Sequence, residues 1–336
     1  MRVPRWVVLV LVVVVLVAAV DVGVFLFARD TPDAAAAAKD HVAVIDPARG
    51  KVVAQVSVGH APTTVVTGYG GAWVLNRGDG TVSHIDGRSR KVLGTIEPDA
   101  IANDLTVGAG GVWFVGRPRR TEQPPLDVAE LEHIDPVTGR VDRELETHTG
   151  ATVIAAGGSA LWSTGYVGGY VRGSARSDPL TGAMRKVDIG IYGDLVTAND
   201  TAVYWVASAG NRVARVSTRT GQMTASRPLL SDAAVASGAV PANPTAVVVG
   251  GGSVCISMTD GSVRRIDARL RREPTTIPVC RNALAVAYGE GAVWVACSDE
   301  VVRVDPATGS AGTRIALASF PRGIAAGAGS VWVTLD

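Results

Sequence analysis

One short phrase governs what this chain can fold into. A pattern of small residues, valine and tryptophan returns seven times, as GGAWV, GGVWF, GSALW, TAVYW, GGSVC, GAVWV and GSVWV. Its landmarks are Trp73, Trp113, Trp162, Trp205, Cys255, Trp294 and Trp332, spaced 38 to 50 residues apart. Between them falls a second phrase, Asp-Pro-x-Thr-Gly or an eroded form, at Asp46, Asp86, Asp135, Asp178, Ser217, Asp267 and Asp305. Such a period means one supersecondary unit per repeat, which cannot bury its apolar face until it stacks on a neighbour.

The unit at 284–317 is the cleanest. LAVAYG, AVWVAC, EVVRVD and TRIAL alternate apolar and β-branched residues, so each reads as a strand. Gly-Glu-Gly joins the first two and Pro-Ala-Thr-Gly the last two, with Pro and Gly where turns need a fixed or positive φ. Four antiparallel strands, A to D, in about 40 residues make a propeller blade. The expected fold is all-β: a seven-bladed β-propeller of four-stranded blades over 41–336. Residues 322–336 hold only strands A and B of a blade, and 41–58 hold only C and D. Together they complete the seventh blade and leave no open edge.

The phrases VWV and IDPxTGKVV, at this period, resemble the YVTN-type and virginiamycin B lyase-like seven-bladed propellers over about residues 41–336. For the lyase branch the resemblance implies a histidine base and a divalent metal near the pore. That chemistry needs a base of suitable pKa beside a carboxylate-held cation. No His-x-Glu pair matches the lyase pattern here. No catalytic residue, metal ligand or cofactor is therefore assigned. A non-enzymatic binding or scaffold module is the primary reading, with a metal-dependent lyase or hydrolase as the alternative.

In an up-and-down blade the A–B and C–D turns share one face, the bottom. The B–C loops and D–A crossings share the other, the top. The bottom turns are short and alike (GYGG, GAGG, PVTG, PATG), whereas three expansions, 117–129, 163–170 and 230–243, all map to the top. Binding concentrates on loops carried by a rigid scaffold. The candidates near strand A starts and strand B ends are His60, Asn76, Arg77, Asp104, Arg117, His148, Tyr166, Tyr192, Asp194, Asn211, Arg281, Asp299 and Arg322. Their ligand is a protein, a peptide, a glycan or a small molecule. His84 and His133 share a strand C position with Arg215, Arg265 and Arg303, which marks a structural polar site; His41 opens the closing strand.

Cys280 precedes strand A of the sixth blade and Cys297 ends its strand B. A hairpin turning at 289–291 sets residue 297 opposite about 282, so a Cys280–Cys297 disulfide is expected, with Cys255 free. The alternative is three reduced, buried thiols. The net charge of +1 supplies no field for nucleic acid. The run RRIDARLRRE at 264–273 lacks interleaved aromatics and reads as a solvated rim.

The first 28 residues differ from the rest. Arg2 and Arg5 precede an apolar run from Trp6 to Ala28, broken only by Asp21. The run is long enough to cross a bilayer, and the arginines belong inside. The expectation is a signal anchor at 1–28, a linker at 29–40 and a monomeric propeller outside the cytoplasm, on a single-pass cell-membrane protein. The alternative is a cleaved signal peptide, with Val17 and Ala19 as the small residues before the cut and Asp21 following the apolar region, giving a secreted protein.

Overall fold

The computed structural model describes residues 40–119, 128–147, 150–167, 171–191, 193–208, 211–230 and 242–336. The expected anchor and all of the linker except Asp40 lie outside the described residues. Among those described, no helix is long and apolar enough to cross a membrane.

The described strands pair into seven four-stranded antiparallel sheets. Blades one to six each use four consecutive strands, over 62–96, 100–147, 151–187, 195–228, 244–278 and 283–316. Blade seven is assembled from both ends of the chain. Its order is Pro321–Gly327, Ser330–Leu335, His41–Asp46, Lys51–Ser57, with Val44 opposite Trp332. Strand A of each blade touches strand A of the next, and blade seven returns to blade one. The ring is closed, so its inner strands have no free edge.

The tryptophans are the mortar between blades. Trp73 packs on Ala100, Leu105 and Phe114 of blade two. Trp294 packs on Ala43, Ile324 and Val333 of blade seven, and Trp332 on Val65 and Val74 of blade one. Four indole N–H groups turn back to the last carbonyl of their own strand A: Trp162 to Gly157 (2.9 Å), Trp332 to Gly327 (3.0 Å), Trp294 to Gly289 (3.1 Å) and Trp73 to Gly68 (3.4 Å). At these four positions the ring buries its area and its one polar atom stays satisfied, which stabilises the interface by about 2–3 kcal/mol.

Blade four departs from the expected landmark. Its strand B pairs Ala202 with Ser217 as Gly71 pairs with Asp86, which puts Tyr204, not Trp205, at the landmark position. Tyr204 faces Val254 and Ile256 of blade five, and its hydroxyl donates to the Ala268 carbonyl at 2.6 Å. Trp205 points the opposite way and meets Trp162 of blade three edge-on, with centroids 5.9 Å apart. Cys255 is buried against Val286 and Val295 of blade six.

The second phrase builds the C–D turns. One carboxylate oxygen takes two successive amides: Asp305 those of Ala307 (2.7 Å) and Thr308 (2.8 Å), Asp178 those of Leu180 and Thr181 (both 2.9 Å). Four residues on, the amide of Gly309 donates to the Asp305 carbonyl at 2.9 Å with φ +74, a conformation glycine adopts freely. These turns are scaffold.

In the expansion at 163–170, residues 163–167 are strand and not loop, and 168–170 lie outside the described residues. Strand B runs Ala160–Val167 and strand C Val171–Ser177, paired up to Val167 and Val171. A Cβ on Gly165 would lie 2.3 Å from the Gly150 carbonyl, so this glycine permits close approach rather than a turn. Most of the other two expansions, 120–127 and 231–241, lies outside the described residues.

Candidate functional site

The antiparallel order gathers the B–C loops and D–A crossings on the top face. Two cavities open there, on neighbouring blades. The first, of about 240 Å³, lies where blades seven and one meet. Arg77 and Gly78 reach it from a B–C loop, 61–63 from the crossing, and Arg322 and Asp336 from the ends of blade seven's strands A and B. Arg322 Nε donates to Asp336 at 3.0 Å, and the guanidinium carbon lies 5.3 Å from the Phe320 ring centroid.

His60 flanks this cavity. Its Nδ1 lies 3.1 Å from Asp40, and its amide donates to Asp79 at 2.5 Å. Asp40 also accepts the Ala61 amide at 2.7 Å, holding Ala61 at φ +50. The hydrogen bond to Asp40, and then its charge, raise the His60 pKa above the ordinary 6.5, with Asp79 and Asp336 adding to it. The crossing is thus pinned by two carboxylates while the imidazole stays two-thirds exposed.

The second cavity, of about 650 Å³, belongs to blade six. Arg281 and Asn282 line it from the crossing, Asp299 from the B–C loop, Glu300 from the start of strand C and Arg314 from strand D. A disulfide joins Cys280 to Cys297 across a Cα separation of 6.5 Å, and Cys255 is free and buried. The bond fastens the crossing to the end of strand B, so Arg281 and Asp299 stand on two stapled segments. Arg314 pairs with Glu300 and donates to the Val279 carbonyl at 2.7 Å. Both cavities carry charges of both signs.

The other candidates disperse. Asn76 is completely buried; its amide nitrogen donates to Thr81 (3.0 Å) and Ser83 (2.8 Å), bracing the hairpin from within. Asp104 accepts the Thr64 hydroxyl (3.4 Å) and the Ile154 amide (3.1 Å), which clasps the inner strands of blades one, two and three. Burial pushes its carboxyl up to about 6. Asp194 accepts the Ser208 amide at 2.8 Å, and Asn211 holds a left-handed turn at φ +45. Arg117 is exposed opposite Ile101. Tyr166 pairs with Arg172 along strand B. His148 and Tyr192 lie outside the described residues.

Sequence reasoning missed Asp336, Asp40, Asp79, Glu300 and Arg314. Each is an ordinary surface residue until the ring closes around it. It also missed Glu132, fully buried on strand C of blade two, which accepts the amides of Ala100 (2.6 Å) and Asp99 (3.1 Å). Burial pushes this carboxyl up to about 7. Among the described residues, no group of three or more His, Cys, Asp or Glu side chains could hold a metal ion.

No family model and no curated protein match the chain. Solved structures share its architecture. The β-propeller domain of Myceliophteria thermophila Cps50 (Swd1) matches at 10% identity and TM-score 0.63, over 85% of this chain and 100% of that one. The computationally designed Ika8 protein matches at 15% identity and TM-score 0.55, over 84% and 99%. Likeness at these identities is likeness of fold. The chain is a seven-bladed β-propeller of four-stranded antiparallel blades.

Proposed function

We propose that this chain is a membrane-tethered, extracytoplasmic propeller of the YVTN and virginiamycin B lyase-like kind, and that it works as a non-enzymatic binding or scaffold module. One observation carries the reading. Two cavities with charged residues in their walls sit side by side on the top face of blades six, seven and one, on segments fastened by a disulfide and by Asp40. Rigid segments lose little entropy when a ligand orders them. Walls of both signs suit a polar partner: a protein or peptide segment, a glycan or a small ligand. The tether rests on the apolar run at 6–28, and the disulfide fits an oxidising compartment.

The test is affinity capture from cross-linked membranes with the full chain as bait, in parallel with a double variant Arg281→Ala and Asp299→Ala that keeps its melting temperature. A defined partner retained by the first and lost by the second is the expected result. Equal recovery by both removes the top face of blade six from the reading.

A further inference from the structure

The basic run at 264–273 is not the evenly solvated rim that its composition suggests. Arg264 is buried and donates to Ser262 (2.6 Å) and Asp260 (3.0 Å). After Asp267 the chain makes a tight turn whose carboxylate accepts the amides of Arg269 (3.0 Å), Arg271 (2.9 Å) and Arg272 (2.7 Å). Arg227 of blade four grips the same turn. Its Nε donates to the Leu270 carbonyl and its Nη2 to the Arg271 carbonyl, both at 3.1 Å, and its Nη1 pairs with Glu273 at 2.9 Å. The turn is therefore rigid, and Glu273 is engaged with a cation from outside the run.

Arg269 and Arg271 come off this turn beside Arg215 and Thr224 of blade four. The four side chains line an open cavity of about 290 Å³ with no carboxylate in its wall. Arg215 is aimed by a hydrogen bond from its Nη1 to the Thr224 hydroxyl at 2.7 Å. Its Nε is enclosed and finds no acceptor among the described residues. Like charges held together without a counter-charge are costly, and an enclosed donor without an acceptor adds to that cost.

We propose that this cavity, on the bottom face between blades four and five, binds a phosphate or sulfate group. Guanidinium forks match tetrahedral oxyanions in both charge and geometry. An oxyanion here meets three guanidinium groups, Arg215 aimed by Thr224 and Arg269 and Arg271 carried on the anchored turn. The site is on the face opposite the two top cavities and stands independently of them.

Calorimetric titration of the full chain tests it, with inorganic phosphate, sulfate and tripolyphosphate at matched ionic strength in chloride. Saturable binding is expected, weakened about tenfold or more by Arg271→Gln. Arg140→Gln, at an exposed arginine that opens strand D of blade two, should leave it unchanged. Tripolyphosphate binding more tightly than phosphate identifies a phosphorylated chain as the ligand; equal affinity identifies a single group. No saturable binding of any of the three anions overturns the proposal. So does equal weakening by Arg140→Gln, which marks a diffuse field instead of a site.

Discussion

The imidazole of His84 lies flat on the indole of Trp73, with ring centroids 3.7 Å apart and planes 7° from parallel. The two residues are directly opposite in register on strands C and B. His133 sits over Trp113 at 4.7 Å with its plane tilted by 50°, and the guanidinium carbons of Arg176 and Arg303 lie 5.7 and 6.0 Å from the rings of Trp162 and Trp294. One strand C position thus supplies a polar lid for a buried indole. His84→Ala should destabilise by about 1 kcal/mol, and His84→Arg should recover most of it, as read from urea midpoints at constant m. Burial lowers the His84 pKa below 6.5. Its contribution is full above that value and falls as pH drops through it, a dependence that His84→Arg should remove.

Trp294 is wholly buried between blades six and seven. Trp294→Ala should cost about 3–5 kcal/mol. The loss should appear as a lower melting temperature together with any loss of binding. Retained melting temperature with binding abolished contradicts a purely packing role.

Tyr204→Phe removes only the hydroxyl that reaches the Ala268 carbonyl from blade four to blade five. It should cost about 1 kcal/mol, measured by denaturant unfolding. No measurable change means the bond does not fasten the two blades.

The same blade shows how far sequence reading reaches. Period, strand count and two-plus-two closure were legible because tryptophan and the aspartate turn recur at spacings only a stacked repeat explains. TAVYW misled because the eye follows tryptophan. The pattern Ala-Val-aromatic, shared by 202–204 and 292–294, marks Tyr204 instead, and pairing with Ser217 decides it. STGYVGGY misled because glycine serves both turns and close approach, and only the distance from Gly165 to Gly150 separates the two uses. Strand order puts Arg77, Arg281, Asp299 and Arg322 on one face, and all four line cavities there. Which side chains stay free was not. Asn76 and Asp104 are consumed by partners that folding brings to them from other strands and blades.

Carboxyl groups should pull stability in opposite directions with pH. Hydrogen bonds from turn amides lower Asp46, Asp135, Asp178 and Asp305 below 3.8, so their contribution is present above that value and lost as pH falls through their folded pKa values. Asp104, raised to about 6, and Glu132, raised to about 7, behave oppositely. Their protonated forms favour the fold, and that advantage is full below 3.8 and 4.5 and disappears as pH rises through about 6 and 7. Unfolding free energy should therefore peak on the acid side of neutrality, at roughly pH 5. Asp104→Asn and Glu132→Gln should each flatten the neutral limb and leave the acid limb unchanged. An acid limb altered equally contradicts the assignment.

Thiol counting tests the blade six staple. The native chain should expose no reactive thiol, because Cys255 is buried and its thiol is pushed up to about 11. Denatured protein should titrate one thiol, and denatured, reduced protein all three. Replacing Cys280 and Cys297 by Ser should cost about 3 kcal/mol, the expectation for a loop of this length. Three thiols in denatured, unreduced protein from cells contradict the disulfide.

The most direct test of top-face recognition is site-specific photo-cross-linking in whole cells. One photoreactive side chain replaces Arg281, in the wall of the blade six cavity. A second replaces Val137, 91% exposed in the blade two turn on the opposite face. A discrete adduct from position 281, absent from position 137, is the predicted result. The same adduct from both positions, or one from position 137 alone, contradicts it.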